Sequence, residues 1–246
     1  MKKLNSNQLK IIAVCAMIFD HLLWVIKPGY ENGIIYLILH IFGRIVAPIF
    51  CFFIAEGAYY TKNRKNYLAR LLIFSVISNF SYCFAFCINF IPFSNGTIFN
   101  QTSIMWSLSL GLVGIMINDS KLNNNIKIAL ILFLCILGFP SDWSSVAVMI
   151  IIYDYAYRNN FKKQMTTQTI FSAIYSTVYC IFIDFWYGLA QMGTILAIPL
   201  LKRYNGKRGN WKGMKYFFYL VYPLHLVICG LIRLYLNGNI SVIVGG

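Results

Sequence analysis

Long apolar runs separated by short polar gaps dominate this sequence, and they restrict the chain to a fold whose outside faces lipid. Of the 246 residues, 59% are hydrophobic and 11% are charged, whereas a soluble domain carries about 25% charged residues. A chain with so few charges cannot cover a water-facing surface. We therefore predict an all-α fold, a polytopic bundle of transmembrane helices that forms one integral membrane domain over residues 1–246 and contacts membrane lipids.

The apolar runs define about nine candidate spans, since a helix needs about 20 apolar residues to cross the hydrocarbon core. The spans cover residues 9–27, 33–60, 67–90, 103–118, 126–139, 143–157, 168–186, 189–201 and 214–236. Three of them (126–139, 143–157 and 189–201) are short and could be half-spanning or re-entrant, which is tolerated only inside a bundle or along a cavity. Pro48 is expected to kink the second span, because proline removes a backbone donor.

Basic residues lie mainly where every second gap would place them. With the N-terminus in the cytoplasm, four gaps face inward, and each carries Lys or Arg at or beside it. These gaps are 62–66, 119–125, 158–167 and 202–213. The outer gaps hold almost none, with Lys27 and Arg233 near the outer ends. Because cytoplasmic loops are rich in Lys and Arg, the pattern predicts an N-in, C-out orientation.

Charge and cysteine content argue against two classes of partner. The net charge of +14 is explained by cytoplasmic loops, and no basic patch lies on a separate polar domain, so no nucleic-acid partner is expected. All seven cysteines lie in apolar runs without a CxxC pair. This is typical of small buried hydrophobes, and neither a metal site nor a disulfide framework is predicted.

Ionisable residues inside the apolar runs are the candidates for function, because charges at bilayer depth are costly and seldom kept without a role. Asp20 and His21 lie about 16 Å along the first helix from Lys10. Asp20 could orient His21 as a proton acceptor, or the pair could only pack helices. Arg44 could stabilise negative charge on a substrate carbonyl or phosphate, or form a structural ion pair with Asp20. His225 lies at similar depth, so one shared cavity is expected.

Four further polar residues are weaker candidates. They are His40, Glu56, Asp142 and Tyr222. Asp142 begins a span, so helix N-capping explains it without any further role. Asp154 and Arg158 are four residues apart, a spacing that predicts an ion pair at a helix end.

The most basic inner loop contains Asn205, Gly206, Lys207, Arg208 and Gly209. Glycines let backbone donors approach a phosphate, and the cations neutralise its charge. These five residues are therefore the candidate cofactor-binding residues. The alternative is an ordinary positive-inside loop.

Six segments, taken together and in order, resemble the TraX family. They are MIFDH (17–21), FGRIVAPIF (42–50), AEG (55–57), residues 61–70, YNGKRG (204–209) and FYLVYPLH (218–225). TraX proteins are polytopic membrane proteins whose namesake acetylates the N-terminus of a conjugative pilin. The resemblance implies acyl transfer at a bacterial cytoplasmic membrane. Ser103 and the residues after Trp143 depart from the family pattern, which leaves the acceptor open.

Three functions follow from these residues. The first is a membrane-embedded acyltransferase, acetyl-CoA or another acyl-CoA being the donor, with no metal. In this reaction the base is His21, oriented by Asp20, or else His225. It deprotonates an amine or hydroxyl of a membrane-associated or exported acceptor, which is a peptide N-terminus or a glycan. Arg44 stabilises the oxyanion. The second is a transporter with a midplane Asp/His/Arg site. The third is a scaffold whose polar residues only pack helices.

Overall fold

The described part of the structure, a computed structural model, is helical throughout. It covers residues 3–30, 33–91, 93–94, 97–211 and 213–242. The helices are α1 (Ser6–Ile26), α2 (Gly33–Gly43), α3 (Val46–Tyr60), α4 (Arg64–Phe86), α5 (Ile104–Asn118), α6 (Asn124–Gly138), α7 (Ser144–Ala156), α8 (Phe161–Phe182), α9 (Phe185–Ala190), α10 (Ala197–Leu201) and α11 (Met214–Asn237), and a 3₁₀ segment, Gln191–Leu196, joins α9 to α10. Within these ranges the β-pairing consists of two isolated bridges. The predicted all-α class is confirmed.

Four of the described helical segments are long and apolar enough to cross a membrane. They are Ser6–Ile26, Gly33–Tyr60, Arg64–Phe86 and Tyr216–Asn237. The segments of α5, α6, α7 and α9–α10 are apolar but shorter. Large apolar side chains also lie on the outside of the bundle: Ile35 and Ile136 are 69% exposed. So much exposed apolar surface is typical of a protein that faces lipid.

Asparagine side chains define where several helices begin. Asn5 and Gln8 form a capping box at the start of α1, with 3.0 Å between Asn5 Oδ1 and the Gln8 amide nitrogen. Asn63, Asn123 and Asn160 accept hydrogen bonds from the first turns of α4, α6 and α8. An asparagine side chain at this position satisfies a backbone N–H that the helix itself leaves unpaired. The cap explains why α8 starts seven residues before the predicted span at 168.

The second predicted span is broken into α2 and α3, as the position of Pro48 predicted. Proline has no N–H to donate to the carbonyl four residues earlier, and that carbonyl belongs to Arg44. The break lies at Arg44 and Ile45, where the Arg44 amide donates to the Ile41 carbonyl at 3.1 Å. Arg44 therefore lies at a helix joint inside the bundle, and its side chain is directed by that joint.

Alternate connections meet at one end of the bundle, which we call the basic end. There the Leu4 amide donates to the Arg203 carbonyl at 2.8 Å, which ties the start of α1 to the connection between α10 and α11. Arg64 pairs with Asp119 at 2.6 Å and links α4 to the end of α5. Arg203 and Arg64, two of the cations predicted for the inner gaps, take part in these contacts.

The opposite end is held by polar side chains that cap helices. Arg233 donates to the carbonyls of Phe84 and Ala85, at 3.0 and 3.1 Å, and so satisfies the last turn of α4. Asn237 donates to the Val25 carbonyl at 2.6 Å. Arg233, one of the two cations near the predicted outer ends, therefore serves as a helix cap.

The predicted ion pair between Asp154 and Arg158 is wrong. Arg158 Nε instead donates to Glu56 on α3 at 2.7 Å. Asp154 is fully buried between helices, where it accepts a hydrogen bond from Gln168 on α8 at 2.6 Å. Residues four apart share a face only within a helix, and Arg158 lies beyond the end of α7 at Ala156. The two residues therefore find separate partners on α8 and α3.

Candidate active site

One large cavity of about 740 Å³ follows α1 through the bundle. Asp20, His21 and Arg44 line it near the middle of α1, together with Asp142 from the connection between α6 and α7. At the basic end its wall includes Gly206 and Arg208, both of which are exposed. The predicted convergence of distant ionisable residues on one cavity is therefore observed for these side chains.

Asp20 is the centre of a buried charge cluster. Its Oδ1 accepts a hydrogen bond from His40 Nδ1 at 2.8 Å, and its Oδ2 forms a very short ion pair with Arg44 Nη2. Arg44 also donates to the His40 carbonyl at 3.2 Å and to Gln191 Oε1 at 3.2 Å. Asp20, His40 and Arg44 are each less than 10% exposed. The opposite charges are thus paired and hydrogen-bonded, which is what makes their burial tolerable.

Aromatic rings enclose this cluster. The Trp24 ring lies 4.6 Å from that of His40, and the Tyr187 ring lies 5.7 Å from it on another side. The Arg44 guanidinium carbon lies 5.4 Å from the centre of the Tyr187 ring. Both rings are buried. Both rings pack against the imidazole of His40, and Tyr187 also lies near the Arg44 cation, which an aromatic ring attracts.

Asp20 does not orient His21, contrary to the first form of the prediction. Neighbouring residues on a helix point about 100° apart, and α1 turns Asp20 toward α2 while His21 faces α11. The ion pair between Arg44 and Asp20, which the sequence offered as the structural alternative, is the arrangement observed. Both Arg44 and Asp20 still line the cavity.

His21 and His225 form a hydrogen-bonded pair of imidazoles. His21 Nδ1 lies 2.8 Å from His225 Nε2, and the rings are stacked with centroids 5.0 Å apart. His225 Nδ1 lies 2.9 Å from the Val221 carbonyl. A carbonyl can only accept, so Nδ1 of His225 carries the proton and its Nε2 is an acceptor. His21 must then donate from Nδ1, which leaves a lone pair on His21 Nε2.

Asp142 lies beyond this pair, toward the opposite end of the cavity. It does not cap α7: the capping position is held by Trp143, with φ of 64° and no side-chain cap. No described ion pair includes Asp142. Tyr82 and Tyr179 line the same region and act electrostatically on its carboxyl. Burial raises the pKa of Asp142 to about 6, although the charge of Arg44 opposes the shift.

Tyr222 and Glu56, two of the weaker candidates, also line the cavity. The ring of Tyr222 packs edge-on against that of His225, with centroids 5.4 Å apart, so it supports the imidazole pair. Glu56 is at the basic end and is engaged by Arg158. His40 and His225 stand one layer behind the cavity wall and act on it through Asp20 and His21.

The predicted phosphate loop is folded against the start of α1. The Asn205 amide donates to the Leu4 carbonyl at 2.9 Å, and the Lys207 amide donates to Asn205 Oδ1 at 2.8 Å. Gly206 and Gly209 have φ of 73° and 86°, which glycine adopts without strain. Two of the five backbone donors are therefore already used inside the protein. Of the five predicted residues, Gly206 and Arg208 line the cavity.

Two cations that sequence reasoning did not assign to the site also line the basic end of the cavity. They are Lys10 on α1 and Arg70 on α4. In the sequence, Lys10 indicates only how deep Asp20 and His21 lie in the membrane. Arg70 lies in a run of basic residues that the preference of cytoplasmic loops for Lys and Arg already explains. Gln191 and Tyr187 were missed as well, because neutral side chains in an apolar run carry no signal until a charged partner is placed beside them.

Gly43 provides the space that Asp20 needs. A Cβ added at Gly43 would lie 2.6 Å from Asp20 Cβ. Alanine is normally better than glycine in a helix by about 1 kcal/mol, but this clash is expected to cost about 1–3 kcal/mol. We expect Gly43→Ala to lower the thermal unfolding temperature and to weaken any activity of the site. Gly138→Ala is the control, since its Cβ would lie 3.1 Å from a Val148 methyl, a milder contact than the one with Asp20. Equal effects of the two substitutions would contradict this role.

Comparison with known proteins places the chain in a family. The model of the family described as "TraX protein" matches residues 5–233. The chain belongs to the TraX family. A probable fimbrial assembly protein FimC, serogroup H1, from Dichelobacter nodosus is 29% identical over 241 residues, which make up 95% of this chain and 97% of that protein. No solved structure matches.

The TraX match spans every site residue from Asp20 to His225. The family predicted from six short motifs is thereby confirmed. Membership in TraX and the four long apolar helices together identify a membrane protein. The cavity and its buried ionisable residues are therefore those of a TraX protein.

Proposed function

We propose that this TraX protein is a membrane-embedded acyltransferase. It transfers an acyl group, acetyl first among the candidates, from cytoplasmic acyl-CoA to an amine or hydroxyl of a membrane-associated or exported acceptor. The single observation that carries the proposal is the pairing of His21 with His225, which leaves a lone pair on Nε2 of a histidine that lines the same cavity as the Asp20–Arg44 cluster. A base and a fixed cation beside one hollow are what acyl transfer needs.

The residues have separate parts in the proposed reaction. His21 Nε2 takes a proton from the acceptor as its nitrogen or oxygen attacks the thioester carbonyl. Arg44, held by Asp20 and Gln191, donates N–H groups to the resulting oxyanion. The carbon–sulfur bond then breaks, and the departing CoA sulfur takes the proton from His21. His225 positions His21 and stabilises its protonated form by accepting from Nδ1.

The proposed topology brings donor and acceptor to this point from opposite sides. We propose about nine spans in a bacterial cytoplasmic membrane, with the N-terminus and the basic end in the cytoplasm, as the distribution of Lys and Arg supports. Acyl-CoA then enters at Arg208 and Gly206, and the acceptor approaches from the Asp142 side or through the bilayer. The words "fimbrial assembly" in the relative's name make the N-terminus of a pilin-like peptide the first acceptor to test.

Label transfer tests the proposal. Purified protein in nanodiscs would be mixed with labelled acetyl-CoA and peptides that have free or blocked N-termini. We expect label on the free peptides and acceptor-dependent release of CoA. A failure of both with peptide and glycan acceptors would contradict acyl transfer, and ion or solute flux in proteoliposomes without CoA turnover would support the transporter instead.

The pH dependence of acceptor binding tests whether the acceptor is an amine. We propose that the Asp142 carboxylate, among tyrosine rings, pairs with the acceptor ammonium. The ammonium then loses one proton to solvent, and the neutral amine passes its next proton to His21 as it attacks. Because the pKa of Asp142 is about 6, its charge is present above that pH and is lost below it. We expect the KM for a peptide amine to rise as the pH falls through about 6, with the KM for acetyl-CoA unchanged. In Asp142→Asn the KM should be high throughout, and a persisting pH dependence would refute the assignment.

A further inference from the structure

Three cations at the basic end of the cavity take part in no described ion pair. They are Lys10 on α1, Arg70 on α4 and Arg208 in the connection before α11. The ion pairs of the described residues are formed by His40, Arg44, Arg64 and Arg158. Cations that line a cavity and have no carboxylate partner favour the binding of an anion from outside the chain.

Lys10 and Arg208 are close enough to repel each other electrostatically. The Lys10 ammonium lies 4.9 Å from the centre of the Phe53 ring and 5.5 Å from that of Phe218. The charged head itself therefore lies against two aromatic rings that line the cavity with it, and ring faces attract a cation. A bound anion would relieve this electrostatic repulsion.

Arg70 reaches the same part of the cavity from the other side of α11. It interacts with the Tyr219 hydroxyl, and Tyr219 is the neighbour of Phe218, against which Lys10 packs. Its Nε is buried and lacks a hydrogen-bond partner among the described residues. Lys10 and Arg70 thus contact neighbouring residues of α11, Phe218 and Tyr219.

The acidic residues of the cavity wall do not neutralise these cations. Glu56 lies at the same end, but Arg158 holds it at 2.7 Å. Asp20 is bound by Arg44, and Asp142 lies beyond the imidazole pair. A ligand with several negative charges therefore fits this end of the cavity, and a single carboxylate would leave it unbalanced.

We propose that Lys10, Arg70 and Arg208 bind the nucleotide phosphates of the acyl-CoA donor, its diphosphate and 3′-phosphate. The inference rests on the proposed function. In place of the backbone donors of residues 205–209, two of which are already bonded, side chains from three elements bind the phosphates. The distance from Lys10 to His21 agrees with the length of the CoA arm. Lys10 and His21 are separated by about 16 Å along α1. The pantetheine arm is as long as four extended residues, about 14 Å, so it carries the thioester to His21.

Binding of CoA without acceptor tests the site apart from the reaction. Titration calorimetry would use the full chain in nanodiscs of neutral lipid, with CoA and with adenosine 3′,5′-bisphosphate as probes. We expect Lys10→Met and Arg70→Met each to weaken CoA binding about 10-fold or more, because each removes a charge-assisted hydrogen bond. Lys121→Gln is the matched control. It removes an exposed cation of the connection between α5 and α6, which does not line the cavity, and its Kd should stay within about twofold of the parent.

The outcomes separate this inference from the proposed function. Parent-like CoA binding by both methionine variants would overturn the phosphate site, even if acyl transfer is observed. Lys10-dependent CoA binding without label transfer would leave the site standing and contradict the transferase. If CoA does not bind, and only vesicles with anionic lipid stabilise the parent over the variants, the cations hold lipid headgroups and the inference is wrong. Lys10→Arg and Arg70→Lys, which keep the charge, should restore most of the affinity and exclude misfolding as the cause.

Discussion

Replacing His21 with asparagine should lower acyl transfer by about 1,000-fold. The substitution removes the imidazole nitrogen that faces the cavity, and general base catalysis by a positioned histidine contributes about 100- to 10,000-fold. The stability of the fold should change little, because His21 is partly exposed to the cavity and forms no described ion pair. Initial rates of label transfer from acetyl-CoA measure the effect.

His225→Ala provides the comparison that assigns the base. His225 fixes the tautomer of His21 by accepting from Nδ1 at 2.8 Å, but it does not itself line the cavity. We expect a smaller loss, of about 10- to 100-fold, similar to the loss of a residue that orients a metal-bound imidazole. The pH–rate profile should shift as well, since protonated His21 loses its acceptor. If His225→Ala is the more damaging substitution, or if His21→Asn keeps a tenth of the activity, the assignment of the two histidines is reversed or wrong.

Hydropathy was sufficient to predict where the helices lie, because an apolar run is a local feature of the sequence. The starts of α4, α6 and α8 were predicted too late, because the asparagine caps were not used. The position of Pro48 predicted the break at Arg44, and asparagines mark the starts of α4, α6 and α8. The end of α8 was placed too late: Asp184 caps α9, and an aspartate near the end of an apolar run is equally compatible with continuing the helix. The number of spans and their orientation remain predictions.

The sequence predicted the set of residues around the cavity better than it predicted the contacts between them. The costs of burying Asp20, His21, Arg44 and His225 predicted a shared cavity without any knowledge of packing. The first three residues line that cavity, and His225 contacts it only through His21. Their partners depend on the rotation of each helix about its axis, which one sequence does not specify. Asp20 therefore bonds His40 and Arg44 rather than its neighbour. Likewise, a basic run carries the same orientation signal whether its side chains face water or a cavity, so Arg70 was not singled out.

Removing Arg44 should cost more stability than any other single change in the site. Arg44→Met leaves Asp20 buried without its cation, and breaking a buried ion pair in this way costs about 3–5 kcal/mol. Asp20→Asn should be destabilising for the reciprocal reason, because Arg44 would then keep only neutral acceptors, the His40 carbonyl and Gln191. Thermal unfolding in one detergent, with CoA absent, compares the variants.

The double variant Asp20→Asn/Arg44→Met separates stability from chemistry. With both charges gone, no uncompensated ion remains, so most of the lost stability should return, as replacing a whole buried pair is often close to neutral. Transfer should stay about 100- to 1,000-fold below the parent, because the oxyanion has lost its donor. Recovery of both stability and transfer would mean that Arg44 only holds helices together. A double variant as unstable as Arg44→Met would mean instead that the hydrogen bonds to His40 and Gln191, and not the charge pair, stabilise this part of the bundle.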